Sequence, residues 1–417
     1  MLHDYVAPST ETFDEIALLY LDLDRFKPIN DTFGHGVGDS VLRIVTDRIE
    51  QIIRPHDILA RLGGDEFALL QTMGAQPSGA RTLARRIIEA VSKPILVDGH
   101  TVGVGISIGV AVAPFDAETS ASLVQAADLA MYDAKKAGRS QVRFFEPRMN
   151  ERLQQRRCIE AELATAIEEN QFELAYQPVK DVVSDRVVAV EALVRWNHPT
   201  LGRVSPERFI PVAEESGLIV RLGEWGLRQA CRDATGWSRD TRVAVNVSAV
   251  QLRQRQFVAT VANALVDAGL PAERLELEVT ETALIADAEL TVAILTELRS
   301  HGVRIALDDF GTGYSSINYL RRFPFDKIKI DRSFVSGIEQ DSESMALVRM
   351  IAALGTSLSV ATTAEGVETE DELDVVRKAG CSQIQGYLLS KPVDIDELQK
   401  VFQSLQSEAH QKASSNV

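Results

Sequence analysis

The sequence is poor in cysteine. Only three cysteines occur among 417 residues, Cys158, Cys231 and Cys381, and they form no CxxC pair. A disulfide framework needs cysteines in closely spaced, even-numbered sets, so the pattern excludes a small disulfide-stapled scaffold. We expect reduced thiols with structural roles and therefore a cytoplasmic location.

Long apolar runs and an excess of positive charge are also missing. No stretch approaches the roughly 20 apolar residues of a membrane span, and no signal peptide is visible at the start. The 44 Lys and Arg residues against 60 Asp and Glu residues give a formal net charge of −16. Nucleic-acid polymers and anionic membranes are bound through basic patches, so neither is an expected partner. A membrane anchor would lie outside this chain, whereas a small phosphorylated ligand held through metal ions remains compatible.

The length and composition predict two or three globular domains. The first block, residues 1–146, mixes helices with a strand–turn–strand at 58–70, which is typical of an α+β domain. The second block, residues 159–407, contains eight strand-like runs with intervening helical stretches, which predicts an α/β fold, a TIM-like (β/α)8 barrel. Residues 147–158 are predicted as a linker helix, and the polar residues 408–417 as a disordered tail.

Polar residues stand at the ends of most strand-like runs of the second block. In a barrel these ends meet on one face, where uncompensated carboxylates would repel one another. Mg²⁺ and Mn²⁺ prefer carboxylate and amide oxygens, and two such ions roughly 3.5–4 Å apart are used for phosphodiester cleavage. No His or Cys stands at ligand spacing and no GxSxG turn precedes a His, so zinc and serine-hydrolase chemistry are not expected. The polar set is Glu191, Asn246, Glu278, Asp308, Asp309, Lys329, Glu365, Glu368 and Gln385.

The motifs of this block resemble those of EAL-domain cyclic di-GMP phosphodiesterases. The resemblance covers residues 159–405 and rests on EALVRW, NVS, LELEVTE, DDFGTGYSS, KIKID, AEGVE and QGY, which follow in that order. It implies hydrolysis of cyclic di-GMP to linear pGpG with two Mg²⁺ or Mn²⁺ ions. The metal ligands that it implies are Glu191, Asn246, Glu278, Asp308 and Asp309.

The same resemblance implies roles for further residues. Lys329 and Glu365 would position or activate the attacking water, and Glu281 would hold the loop that carries Asp309 and the Gly311-Thr312-Gly313 turn. Contacts to the dinucleotide, or support of the catalytic groups, are implied for Gln177, Arg195, Glu368 and Gln385.

The turn of the first block carries Gly63-Gly64-Asp65-Glu66-Phe67. Two glycines let the backbone come close to a ligand, and the carboxylate after them can bind a metal that carries a triphosphate. Asp22 ends a neighbouring apolar run, where an unpaired carboxylate would be costly. Asp22 and Asp65 together suit a Mg²⁺–nucleotide site like those of palm-type polymerases and cyclases.

This turn resembles the GGDEF signature of diguanylate cyclases, which implies a palm/cyclase-like domain that binds GTP with Mg²⁺. The nucleotide contacts that it implies are Lys27, Asn30, Asp39, Gly63, Gly64, Glu66, Lys135 and Arg139. Arg54 and Asp57 resemble the RxxD product-inhibition site of the family. Taken alone, Asp39 is as compatible with a helix N-cap, and Lys135 with a basic last turn. The family's opening DxLTGLPNR-like turn is absent, which disfavours synthesis.

Three functions stay open at this point. The preferred one is a phosphodiesterase whose first domain binds GTP or product as a regulator. The second is a bifunctional enzyme that also condenses two GTP, and the third is a catalytically silent nucleotide receptor. Both domain families commonly dimerise, so a homodimer is expected.

Overall fold

The computed structural model describes residues 15–285, 288–311, 323 and 325–415. The chain divides into two compact units, Met1–Gln155 and Arg156–Val417. No helix in the described ranges is both long enough and apolar enough to cross a membrane.

The first unit is built on a five-stranded sheet. The strands of this unit are β1 Ile16–Asp24, β2 Ile58–Gly63, β3 Glu66–Gln71, β4 Ile95–Val97, β5 His100–Val102, β6 Gly105–Ala113 and β7 Val142–Phe144. Strands β4 and β5 pair with each other in a separate two-stranded sheet. The helices of this unit are α1 Phe26–Phe33, α2 His35–Glu50, α3 Ser78–Val91 and α4 Ser120–Lys136.

Strand β1 is the centre of this sheet, whose order is β2-β3-β1-β6-β7. It pairs antiparallel with β3 and with β6, while β6 pairs parallel with β7. Almost every residue of β1 is buried because both faces are covered. Leu19 and Leu21 pack with helices α2 and α3, and Leu18 packs with α4 on the other face. The α+β prediction for this block is therefore confirmed.

Helix α1 was not predicted from the sequence. Its Pro28 stands in the first turn, where the missing N–H costs nothing because the first four N–H groups of a helix have no partner within it. The next helix, α2, begins at His35 after Gly34. Asp39 therefore lies inside α2, and the alternative of an N-cap at Asp39 is wrong.

The second unit is a closed barrel surrounded by helices. Its strands are β8 Phe172–Asp181, β9 Val187–His198, β10 Gly202–Val204, β11 Arg242–Val247, β12 Leu275–Thr280, β13 Arg304–Phe310, β14 Lys327–Ile330, β15 Ala361–Ala364 and β16 Gln383–Gln385. The remaining α-helices of the described residues are α5 Pro147–Glu168, α6 Pro206–Ser216, α7 Ile219–Ala234, α8 Ala249–Leu252, α9 Phe257–Ala268, α10 Glu281–Ile285, α11 Ala288–Ser300, α12 Ser342–Leu358, α13 Glu370–Ala379 and α14 Ile395–Ser415.

Eight strands close the barrel in the order β8-β9-β11-β12-β13-β14-β15-β16, and β16 pairs back onto β8. Strands β9 and β11 to β16 run parallel, which confirms the predicted TIM-like barrel. Strand β8 differs, because it is antiparallel to both neighbours. Only residues 182–186 join β8 to β9. A parallel pair needs a crossover of roughly a dozen residues, so this short link allows only a hairpin.

Both ends of the barrel unit differ from the sequence prediction. Helix α5 is continuous to Glu168, beyond the predicted linker at 147–158, because Ile159, Leu163 and Ala166 bury an apolar face against Phe209 and its neighbours. Helix α14 continues to Ser415, so the prediction of a disordered tail is wrong for residues 408–415. That segment is polar, but its Ala, Gln, Glu and Lys residues are good helix formers and extend a helix already begun.

Candidate active site

The acidic residues of the barrel converge on one lysine. The Lys329 ammonium lies 2.8 Å from Glu278 Oε2 and 2.6 Å from Glu365 Oε1. It lies 3.2 Å from Asp308 Oδ1 and 3.6 Å from Glu191 Oε2. Four strands, β9, β12, β13 and β14, and the residue just after β15 therefore supply one buried cluster.

Amide side chains hold the Glu191 carboxylate. Asn246 Nδ2 donates to Glu191 Oε1 at 2.6 Å, and Gln385 Nε2 donates to Glu191 Oε2 at 2.6 Å. Gln385 Nε2 also donates to Gln177 Oε1 at 3.1 Å, and Gln177 Nε2 donates to the Ser390 carbonyl at 3.1 Å. Strand β8 brings Gln177 into this set because its register places Gln177 opposite Glu191.

The electrostatics show an excess of negative charge in the cluster. Burial and the Glu191 carboxylate raise the pKa of Glu278 well above its usual range. Burial raises the pKa of Glu365 to about 8, despite the nearby Lys329. Burial also disfavours the charge on Lys329, but the surrounding carboxylates outweigh it and raise the lysine pKa. One ammonium therefore does not neutralise the carboxylates, and protons or further cations must share the site.

Three carboxylates are placed to take such a cation. One oxygen from each of Asp308, Asp309 and Glu365 lies within 4.8 Å of the others. These hard oxygen donors suit a divalent ion such as Mg²⁺ or Mn²⁺. Asp309 adopts a left-handed backbone with φ 54°, a conformation that costs a non-glycine residue about 1–3 kcal/mol. Burial and the charge of Asp308 raise the pKa of Asp309. The donor set fits a divalent metal.

A pocket of about 470 Å³ adjoins the cluster. Helix α6 contributes Pro206, Ile210 and Glu214, which are spaced by one helical turn each and so share one face. Arg195 and Asn246 from the strand ends form the side next to the acidic cluster. The three α6 residues were missed from the sequence, where PERFIPVAE shows only an ordinary amphipathic helix.

Other predicted barrel residues lie at varying distances from the cluster. Arg195 is half-buried, and its Nη1 donates to the Val194 carbonyl at 3.0 Å. Glu281 is buried at the start of α10. Glu368 is exposed, and within the described part of the chain its carboxylate contacts no member of the cluster. The Thr312 and Gly313 of the predicted loop lie outside the described residues.

The first unit brings its predicted metal ligands to one hairpin. Asp22 of β1 stands in register with Glu66 of β3, and its Oδ2 lies 2.5 Å from the Lys135 ammonium. Burial raises the pKa of Asp22, although Lys135 opposes that shift. Asp65 is half-buried in the turn between β2 and β3. A Cβ added at Gly63 or Gly64 would have no described atom within 4 Å, so the turn is open to a ligand.

The other residues predicted to contact the nucleotide lie on α1, on α2 or just after α4. Asn30 packs on Gly38, since a Cβ there would come within 1.9 Å of Asn30 Oδ1, and this places Asn30 beside Asp39. Lys27, Asp39 and Arg139 are exposed. In the RxxD segment, the Arg54 backbone N–H donates to Asp57 Oδ2 at 2.9 Å, so a local turn joins the two residues.

Comparisons with known proteins identify two domain families in the chain. The EAL domain family model matches residues 160–392, and the model named diguanylate cyclase, GGDEF domain, matches residues 5–141. The bifunctional diguanylate cyclase/cyclic di-GMP phosphodiesterase MucR of Pseudomonas aeruginosa is 42% identical over 386 residues, 92% of this chain and 56% of that protein. The cyclic di-GMP phosphodiesterase NbdA of the same organism is 41% identical over 399 residues, 94% of this chain and 51% of that protein.

A solved structure matches the barrel. The PaMucR phosphodiesterase in complex with c-di-GMP is 42% identical, with a TM-score of 0.56, and covers 58% of this chain and 99% of that chain. This chain spans about half the length of the curated relatives it matches. The chain belongs to the family of proteins that carry a GGDEF domain followed by an EAL domain.

Proposed function

We propose that the barrel hydrolyses cyclic di-GMP to linear pGpG with two divalent metal ions, Mg²⁺ or Mn²⁺. The observation that carries the proposal is the ring of four carboxylates around Lys329, next to Asp309 in its strained conformation. The phosphodiesterase names of MucR and NbdA support the same reaction.

The residues of the cluster divide into holding and proton-handling groups. Glu191, Asn246, Glu278, Asp308 and Asp309 would hold the metals, which when bound lower the pKa of water and offset the charge of the phosphodiester. Glu365 is suited to take a proton from the attacking water, because a base whose pKa lies near neutral pH transfers protons efficiently. Lys329 holds Glu365 in place at 2.6 Å.

The amides and the side pocket provide binding and orientation. Gln385 and Gln177 fix Glu191 through the hydrogen bonds described above, so that it is preorganised for its metal. The pocket beside α6 has the size and the largely apolar lining suited to a purine base. Its Glu214 is an acceptor that matches the N–H groups on the edge of guanine. Arg195 would contact the phosphate.

For the first unit we propose GTP binding with Mg²⁺ at Asp22 and Asp65, and regulation of the barrel by GTP or by product at Arg54 and Asp57. Synthesis of cyclic di-GMP is the second candidate. The placement of Asp22, Lys135 and Glu66 around an open hairpin favours it, as does the bifunctional name of MucR. We also propose that the protein forms a homodimer, that Glu281 holds the loop that carries Asp309, and that Glu368 supports the catalytic groups.

One set of incubations tests these functions. Purified protein is given cyclic di-GMP with Mn²⁺, with and without GTP, and separately GTP with Mg²⁺, and the nucleotides are resolved by chromatography. Glu191→Ala and Asp65→Ala are the matched controls for the two units. Hydrolysis that is lost in Glu191→Ala supports the phosphodiesterase, and a folded wild-type protein without hydrolysis rejects it. Product from GTP that is lost in Asp65→Ala establishes synthesis.

A further inference from the structure

The end of β13 contains a bulge at the candidate metal site. The register between β13 and β14 shifts between Leu307 and Phe310. As a result, Asp308 and Asp309 together stand opposite the single residue Lys329. Neighbouring residues of a regular strand point to opposite faces, and a bulge re-aims one of them. Here the bulge brings one oxygen of each aspartate within 4.8 Å of the other, and so lets both carboxylates reach the site.

The bulge depends on a backbone conformation that needs support from its surroundings. Asp309 has φ 54°, and a strained residue of this kind persists only where the neighbouring structure holds it in place. On one side, the Asp309 N–H donates to Asp308 Oδ1 at 3.0 Å. On the other side, Gly311 has φ 101°, and a Cβ added there would lie 3.0 Å from Phe334 Cε2. The Phe334 ring therefore lies directly against the backbone that leaves the bulge.

Phe334 is itself held in place by its surroundings. It ends the one-turn 3-10 helix Arg332–Phe334, which follows β14. The Asp331 carboxylate caps this helix by accepting a hydrogen bond from the Ser333 N–H at 2.9 Å. The Phe334 side chain packs against the barrel core, and the next residue, Val335, is fully buried. The ring therefore presents a fixed surface to the glycine.

The same helical turn also contacts the segment that carries Glu365. A Cβ added at Gly366 would lie 2.5 Å from Arg332 Cβ, so the chain passes very close to the turn at this point. Glu365 immediately precedes this glycine, and its carboxylate belongs to the same set of three as that of Asp309. The turn at Arg332–Phe334 therefore contacts both of the chain segments that present this set.

We propose that Phe334 is a positioning residue for metal binding: its ring holds Gly311 and thereby keeps the bulge formed, so that Asp309 stays beside Asp308 and Glu365. This inference rests on the proposed phosphodiesterase function, in which Asp309 is a metal ligand. Without the ring, the chain after the bulge can relax to less strained conformations in which Asp309 points elsewhere. Metal affinity then falls in proportion to the fraction of molecules that keep the bulge.

Mn²⁺ affinity, measured by calorimetry on the full chain without substrate, tests this role. We expect Phe334→Ala to weaken Mn²⁺ binding by at least about tenfold, since the ring no longer covers Gly311. Phe334→Leu keeps an apolar side chain over the glycine and is expected to stay within about threefold of wild type. Phe402→Ala is the matched control, because Phe402 packs against the same core from α14, and it is expected to leave Mn²⁺ affinity unchanged.

A double-variant cycle shows whether Phe334 acts through Asp309. The Asp309→Asn protein lacks the carboxylate to be positioned, so we expect Phe334→Ala to change its Mn²⁺ affinity by less than about twofold. A side chain that only stabilises the barrel would have the same effect in both backgrounds. Hydrolysis of cyclic di-GMP by Phe334→Ala is expected to be about tenfold slower than wild type at limiting Mn²⁺ and to recover to within about threefold at saturating Mn²⁺.

The contrary results are equally definite. Wild-type Mn²⁺ affinity in Phe334→Ala, an equal loss in Phe402→Ala, or the same loss in the Asp309→Asn background would each overturn the positioning role. If wild type binds Mn²⁺ but does not hydrolyse cyclic di-GMP, the proposed function fails and the titrations alone decide on Phe334. Wild-type protein that binds no Mn²⁺ would also overturn the positioning role.

A second variant covers the case in which Phe334→Ala does not fold. Gly311→Ala adds a methyl group that would press on the Phe334 ring, so it is expected to weaken Mn²⁺ binding by at least about fivefold when Asp309 is present. Mn²⁺ affinity within about twofold of wild type in Gly311→Ala would overturn the proposal.

Discussion

The raised pKa of Glu365 predicts a steep pH dependence of metal binding. In the metal-free protein burial raises this pKa to about 8, so the carboxyl keeps its proton below that pH. A divalent ion held by Asp308 and Asp309 would stand beside the Glu365 carboxyl, and its charge would expel that proton. The apparent dissociation constant therefore rises by about tenfold per pH unit well below the pKa, which amounts to about 50-fold between pH 8 and pH 6. The raised pKa of Glu278 acts in the same direction, because its proton also opposes metal binding more strongly as the pH falls.

Calorimetry provides the assay for this prediction. Mn²⁺ is titrated into metal-free protein at pH 6, 7 and 8, in buffers of different ionisation enthalpy, so that affinity and proton release are measured together. Glu365→Gln is the control. We expect this variant to release about one proton fewer when Mn²⁺ binds, and its Mn²⁺ affinity to change less steeply with pH than that of wild type. Equal Mn²⁺ affinity at pH 6 and pH 8, or the same proton release in wild type and Glu365→Gln, would refute the reasoning.

Three further predictions concern the pocket and the two cores. Ile210→Trp fills the pocket beside α6, so KM for cyclic di-GMP is expected to rise by at least about tenfold with Mn²⁺ affinity unchanged; an unchanged KM would remove the base-binding role of this pocket. Gly109→Ala places a Cβ 2.0 Å from the Met131 backbone nitrogen, so the free energy of unfolding measured in urea is expected to fall by about 1–3 kcal/mol. A variant as stable as wild type would contradict the close approach of β6 and α4. Leu163→Ala removes a fully buried side chain between α5 and α6, so the free energy of unfolding of the barrel unit is expected to fall by about 2–5 kcal/mol. A fall of less than about 1 kcal/mol would contradict that packing.

The parts of the fold that local pattern determines could be predicted from the sequence. The apolar run at residues 16–24 coincides with β1, and the eight apolar runs of the second block coincide with the barrel strands. Polar residues at strand ends predicted the acidic cluster, because parallel strands deliver their carboxyl ends to one face. The motif resemblance added roles to these residues, most of which stay predictions.

The parts that depend on tertiary contacts could not be predicted in the same way. The reversed direction of β8 had a local signal, the five-residue link to β9, but its pairing with β16 spans most of the second unit. A buried ion pair joins Lys327 of β14 to Glu276 of β12, yet in KIKID and LELEVT these look like two ordinary strand residues. The pocket face of α6 is equally invisible, because an amphipathic pattern identifies a buried face and not what the other face lines.

The closure of the barrel by β8 links folding to activity. Gln177 and Gln385 are 208 positions apart in the sequence, and they meet only where the first and last strands of the barrel pair. Bringing residues so far apart in the sequence together costs loop entropy, which the pairing of the two strands must offset. The hydrogen bond from Gln385 to Glu191 therefore depends on this seam, whereas the bond from Asn246 joins the neighbouring strands β9 and β11. If the barrel hydrolyses cyclic di-GMP as proposed, turnover reports complete closure, because an open barrel lacks one of the two amides that orient Glu191.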